Sequence, residues 1–182
     1  HRAHVGDAGA SALAAALGRG ALPQLKRLCL PCAAIGDAGL VALAPALRRL
    51  PVLDYLSLMS NPLGDEGLAA LVAPPPPAGA PPTTTGVLTK LKLLSLSDTQ
   101  VTDAGCATLA AALNSGALPA LKNLYLDGIP ASAAAKAAVY AARQSGKDSL
   151  EPESEHEQLG LRGGGLFLCA CSHSTAPTGH DR

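Results

Sequence analysis

The chain has 182 residues and carries 14 Lys plus Arg against 14 Asp plus Glu, a formal net charge of zero. That balance excludes strong non-specific attraction to nucleic acid or to an anionic membrane surface. Apolar residues make up 48% of the chain, yet it has one Phe, three Tyr and no Trp, so its core must be assembled from Leu and Ala in many small, similar layers.

Two phrases alternate along the chain. The first is VGDAG at 5–9, and Leu13 and Leu17 behind it share one helical face. LPQLKRLCL at 22–30 follows, in which Leu28 and Leu30 have strand periodicity and must point to one side. IGDAG at 35–39 opens a second helix with Leu40, Leu43 and Leu47 on one face, and LPVLDYLSL at 50–58 predicts a second strand. LGDEG at 63–67 opens a third helix, which must stop soon after Leu71 because Pro74–Pro77 cannot continue it. The Pro-rich insert at 73–86 reads as a disordered or polyproline II surface loop on the helix side, with a docking site for an SH3- or WW-type domain as the sharper alternative. LTKLKLLSL at 88–96, VTDAG at 101–105 with Leu109 and Leu113, and LPALKNLYL at 118–126 then repeat the cycle. The segment 129–146 stays Ala-rich and helical but loses the Gly-Asp signature. Its Lys136, Arg143 and Gln144 suit a terminal capping helix.

Aligned, the second phrase is L-x-x-L-x-x-L-x-L four times. Leu25 to Leu53 is 28 residues and Leu91 to Leu121 is 30, while Leu53 to Leu91 is 38 because it contains the insert. A unit of this length and pattern resembles the leucine-rich repeat, in particular its ribonuclease-inhibitor-like class, over roughly residues 5–150. The expected fold is therefore an α/β leucine-rich-repeat solenoid, with short parallel strands on the concave side and helices on the convex side. Residues 1–150 form its four to five repeats. The chain departs from the family pattern three positions after the last strand Leu, where Asn or Cys is favoured. It reads Ala33, Asn61, Thr99 and Ile129 there, so only Asn61 matches.

The first phrase has a local rationale. Gly6, Gly36, Gly64 and Thr102 share one column, at the N-cap. Asp7, Asp37, Asp65 and Asp103 follow in the first turn, where the helix dipole favours negative charge. Gly9, Gly39, Gly67 and Gly105 lie inside that turn, where Gly costs ~1 kcal/mol relative to Ala. Close packing of a neighbouring repeat, too tight for a Cβ, is the expected reason.

The ends are less regular. The chain opens inside a repeat at His1, which implies that a parent protein continues N-terminally with the strand of that unit. Residues 151–182 are acidic, then Gly-rich, with an apolar island at Leu166–Ala170. They read as a disordered or atypical tail. No apolar run approaches the ~18 residues needed to span a bilayer, and Gly6, Asp7 and Gly9 interrupt any signal-peptide core. Five irregularly spaced Cys argue for a reducing compartment, hence a cytoplasmic location.

No arrangement for catalysis survives scrutiny. All five His (His1, His4, His156, His173, His180) lie in the end segments. Cys29 and Cys32 form a C-x-x-C, but in a strand and the turn after it rather than at a helix N-terminus, so they read as structural. Cys169, Cys171, His173 and His180 do not have a zinc spacing. Cys106 falls in the column of Leu40 and Leu68, a core position. The expectation is a non-enzyme without cofactor or metal. What remains is the outward strand set, in three columns: Lys26, Asp54, Lys92 and Lys122; Arg27, Tyr55, Leu93 and Asn123; Cys29, Ser57, Ser95 and Tyr125. Mixed charge with two of the three Tyr suits a recognition surface. The chain is therefore expected to act as a monomeric scaffold that binds another protein, not nucleic acid or membrane. The family resemblance also implies two alternatives, a GTPase regulator of the Ran GTPase-activating type and the sensor region of an innate-immune-type receptor.

Overall fold

The computed structural model describes residues 5–72, 88–145 and 166–169. Helices and strands alternate through α1 (Gly6–Gly18), β1 (Leu25–Cys29), α2 (Asp37–Leu47), β2 (Tyr55–Ser57), α3 (Asp65–Val72), β3 (Leu93–Ser95), α4 (Asp103–Asn114), β4 (Asn123–Tyr125), α5 (Ala133–Ser145) and β5 (Leu166–Cys169). The strands form one sheet in the order β4-β3-β2-β1-β5. All its pairings are parallel, as crossovers through a helix require. Each helix packs on the next, from α1 through to α5.

The Leu grammar explains this layering. Leu28, Leu56 and Leu94 are fully buried, Leu124 nearly so, and Leu30, Leu58, Leu96 and Leu126 lie behind them in the same core. Leu40, Leu43, Leu47, Leu68 and Leu109 close that core from the helix side. Each Leu stands on its counterpart in the next unit, because the register pairs Leu28 with Leu56, Leu56 with Leu94 and Leu94 with Leu124. A helix is ~10 Å wide and adjacent strands are ~4.8 Å apart, so stacking such units curves the strand side inward.

The turns after the strands extend the ladder. Leu30 N–H donates to the Ser57 carbonyl at 2.9 Å and Cys32 N–H to that of Met59 at 3.1 Å, and the same pair of bonds recurs at Leu58 and Ser60. Asn61 fastens the turn between the first two strands. Buried at 2% exposure, its side-chain carbonyl accepts from the N–H groups of Ala33 (3.0 Å) and Ile35 (3.1 Å). Its amide donates to the carbonyls of Leu30 (2.7 Å), Leu58 (2.8 Å) and Met59 (3.2 Å). Thr99, in the same column, keeps a single such bond, from its hydroxyl to the Leu96 carbonyl at 2.7 Å. Ala33 and Ile129 fill the column with apolar volume.

The Asp column does more than face its own helix dipole. Asp7 Oδ1 accepts from the N–H groups of Gly36 (2.7 Å) and Gly39 (3.1 Å), at the start of the following helix. Asp37 does the same for Gly64 (2.7 Å) and Gly67 (2.8 Å). Asp65 accepts from the N–H and hydroxyl of Thr102, and Asp103 from the N–H of Ser132. Each carboxylate thus caps the next helix, meeting donors that would otherwise lack partners. The Gly in the first turn follows directly. A Cβ on Gly39, Gly67 or Gly105 would collide with the Asp carboxylate of the preceding unit. Gly9 differs, since its Cβ would meet Val5 of its own unit. The cap also shifts at α1, where Val5 rather than Gly6 is the N-cap and Gly6 adopts φ +58°.

α5 is anchored by the polar residues expected of an end helix. Lys136 Nζ donates to the Ile129 carbonyl at 3.2 Å, and the Arg143 guanidinium donates to that of Lys122. Ser132 replaces the missing Gly-Asp cap by accepting from the Ala135 N–H at 3.2 Å. α3 is described as far as Val72, and the Pro-rich insert that follows lies outside the described residues.

Within the tail, only the apolar island is described. Leu166–Cys169 is a strand, paired in parallel with the outer side of β1, and Leu168 packs against the core. The remainder of 151–182 lies outside the described residues.

Candidate functional site

The face of the sheet turned away from the core is the candidate surface. Alternation along each strand sends Arg27 and Cys29, Tyr55 and Ser57, Leu93 and Ser95, and Asn123 and Tyr125 to that side. Register then aligns them into rows: Arg27, Tyr55, Leu93 and Asn123 in one, Cys29, Ser57, Ser95 and Tyr125 in the other. Two of the three columns read from the sequence are therefore brought together on one face, while Lys26, Asp54, Lys92 and Lys122 lie at the strand entries, joined through their backbones.

The rows have different depths. Ser57 at 4% and Ser95 at 8% exposure, with Cys29 at 9%, are small side chains that form a floor. Arg27 and Tyr55 are half-buried above it. The Arg27 guanidinium carbon lies 4.6 Å from the centroid of the Tyr55 ring, within cation–π range. Burial pushes the Tyr55 hydroxyl above its ordinary pKa, reinforced by the neighbouring Cys29 and opposed by the Arg27 charge. The phenol therefore remains a neutral donor through the physiological range.

Toward β4 the surface opens. Lys92, Lys122 and Asn123 are exposed, and Tyr125 at 46% is one of three large apolar side chains left in solvent among the described residues. At the strand entries Lys26, Lys92 and Lys122 flank Asp54, so this border is net positive even though the chain is neutral. Adjacent strands ~4.8 Å apart make the four-strand face ~15–20 Å wide, enough for a single compact epitope.

The Gly-Asp and Cys constellations have the following surroundings. Gly36, Gly39, Gly64 and Gly67 open helices as a phosphate-binding loop would, but their N–H groups already bind the chain's own Asp carboxylates. Cys29 ends β1 and Cys32 sits in the turn after it, neither at a helix N-terminus. Cys106 is fully buried in the core, and burial pushes its thiol pKa up, with Asp103 adding to the shift. The five His fall outside the described residues.

Two segments, 50–72 and 87–110, match the family model for the leucine-rich repeat. The chain carries leucine-rich repeats. The matched segments are the two units on either side of the Pro-rich insert, so the insert interrupts the repeat array without ending it. No curated protein matches the chain. Among the described residues, no helix is long and apolar enough to cross a membrane. Stacked repeats of this kind present an extended inward-curving surface suited to binding proteins.

Proposed function

We propose that the chain is a non-catalytic protein-binding module that holds its partner against the exposed face of β1–β4. The observation that carries this reading is a pair of adjacent rows on one face, half-buried Tyr55 capped by Arg27 in the first and exposed Tyr125 in line with the small Cys29, Ser57 and Ser95 in the second. Rigid aromatic side chains and an Arg, backed by a well-ordered sheet, are the composition of binding hot spots. Lys26, Lys92 and Lys122 border the row, so the complementary surface presents carboxylates near an apolar or aromatic contact. Asp54 breaks the run of cations and gives the partner one basic anchor point.

Affinity capture with the full chain tests the reading. Arg27→Glu and Tyr125→Ala should each abolish capture of the partner taken by the native chain, while Ala42→Glu on the exposed helix side leaves it intact. Circular dichroism verifies that all three variants fold. Loss of capture by the helix-side variant alone would place the contact surface on the helices and refute the proposal.

A further inference from the structure

β5 does not carry the repeat grammar, yet it occupies a repeat position. The sheet order sets it beside β1 on the side away from β2. β1 spans five residues whereas β2, β3 and β4 span three each, so its outer edge is the longest that the repeat strands offer. An open edge of this kind is a template for strand pairing. At the opposite end of the sheet a side chain does the closing. The carbonyls of Lys26, Asp54 and Lys92 accept from the N–H groups of Asp54, Lys92 and Lys122 in turn, and the Lys122 carbonyl ends that ladder on the Arg143 guanidinium.

β5 fits the β1 edge imperfectly. Its register pairs Leu166 with Leu25 and then Phe167 with Arg27, so it sets no residue opposite Lys26. β2, on the other side of β1, brings Asp54 to that position, with its N–H 2.9 Å from the Lys26 carbonyl. Leu168 of β5 is partly buried, where Leu28, Leu56 and Leu94 of the same column are fully buried. Among the described helices and strands β5 packs on β1 alone. Its departure therefore breaks no contact between repeats.

We propose that the outer edge of β1 is a strand-accepting slot. β5 is its removable occupant, and an extended partner segment of the pattern Leu-acidic-x-Leu-x-Leu takes its place in parallel. Strand addition draws affinity from main-chain hydrogen bonds and specificity from alternate side chains. A segment in unbroken register sets its acidic residue opposite Lys26 and its second Leu in the column of Leu28. It gains a charge partner and a rung of the ladder that β5 lacks. β2 has this pattern in Leu53, Asp54, Leu56 and Leu58, and it already pairs with β1 from within. The slot goes beyond the binding face proposed above, because it engages backbone at one edge rather than side chains across β1–β4.

A labelled synthetic peptide of residues 52–58, VLDYLSL, and its Asp54→Lys analogue probe the slot by fluorescence anisotropy against the full chain. Leu168→Pro removes a backbone donor from β5, and Leu168→Asp sets a charge against the core. Each releases β5, and circular dichroism verifies that the repeats stay folded. A slot open a tenth of the time binds about tenfold more weakly than an open one, so both variants should bind the peptide about tenfold more tightly than the native chain. The Asp54→Lys analogue should bind the variants more weakly than the parent peptide does. The gain on releasing β5 should persist when Tyr125→Ala is added, so failure of the face as a binding surface leaves it standing. Equal binding by the native chain and the folded variants, or equal binding of the two peptides, would overturn the slot. Peptide binding that is lost in Tyr125→Ala and indifferent to both Leu168 variants would overturn the slot and leave the face.

Discussion

Asp37 Oδ1 lies 2.8 Å from the backbone nitrogen of Gly67, so a side chain in the first turn of α2 caps α3. A Cβ at Gly67 would lie 2.8 Å from that oxygen and 3.2 Å from both the Asp37 Cα and the Leu40 Cβ. The recurring Gly-Asp phrase is one device seen from two sides, with the carboxylate of one unit seated where the next unit omits a side chain.

Removing the carboxylate should therefore destabilise the junction between units. Asp37→Ala leaves the Gly64 and Gly67 N–H groups without their partner and should cost ~1–2 kcal/mol. Gly67→Ala gains ~1 kcal/mol of helix propensity, yet should be net destabilising while Asp37 is present. In the Asp37→Ala background the same substitution should become less harmful, because the colliding oxygen has gone. Urea denaturation of the four chains gives the coupling, and an additive cycle would show that the two residues act independently.

Asn61 should be the most sensitive polar residue of the turns. Asn61→Ala strands buried backbone groups at Ala33, Ile35 and Leu30, at ~1–3 kcal/mol for each left unsatisfied. A loss of ~3–5 kcal/mol is expected. Thr99→Val, which removes one bond from a column of similar shape, should cost ~1 kcal/mol. Equal losses for the two variants, measured by denaturant titration, would contradict the assignment of Asn61 as the chief fastener.

Much of this was legible in the sequence. L-x-x-L-x-L fixes which Leu face the core, and the GDAG phrase marks where each helix begins. The first-turn Gly even pointed to close approach by a neighbouring unit. The Asp7 bond to Gly39 was not legible, because it joins residues 32 positions apart and a repeat pattern does not say which unit a side chain faces. β5 was hidden for a different reason. Counted without a gap from Leu168 as the counterpart of Leu28, the sequence has Gly165 and Ala170 where the repeat has Leu25 and Leu30, and the actual pairing of Leu166 with Leu25 needs an irregularity that no pattern announces. An ungapped reading thus keeps one Leu of the pattern, and pairing with a distant edge supplies what local grammar lacks. The candidate face lies between these cases, since its rows follow from register while the Arg27–Tyr55 stacking required coordinates.

Thiol reactivity should follow burial. Cys32 is exposed in its turn, whereas Cys106 is fully buried and its pKa is raised. The thiolate is the reactive species, so iodoacetamide at neutral pH should modify Cys32 early and reach Cys106 only when urea unfolds the repeats. Early labelling of Cys106 in the native chain would mean that the core between α3 and α4 opens without global unfolding.

The Tyr55 shift has a definite sign in stability. Its folded-state pKa lies above the ordinary value of 10.0, chiefly through burial, so folding favours the protonated phenol. That contribution is fully present below pH ~10 and is lost as pH rises through the raised value. Denaturation midpoints should therefore fall in this alkaline window, and Tyr55→Phe should show a shallower fall there. An unchanged alkaline slope in Tyr55→Phe would remove Tyr55 as its source.

Tyr125 separates binding from folding. It is 46% exposed, so Tyr125→Ala removes little buried area and should change stability by less than ~0.5 kcal/mol. If the partner docks on the strand face, the same truncation should weaken capture by at least about tenfold, the effect of losing ~1.4 kcal/mol at a hot spot. Leu94→Ala gives the opposite signature. It opens a cavity in a fully buried layer and should cost ~2–5 kcal/mol of stability, weakening capture only through unfolding. A surface residue that matters for the partner and not for the fold, set against a core residue with the reverse profile, distinguishes a recognition face from ordinary solvated sheet. Unchanged capture by Tyr125→Ala would leave this end of the face without a role in binding.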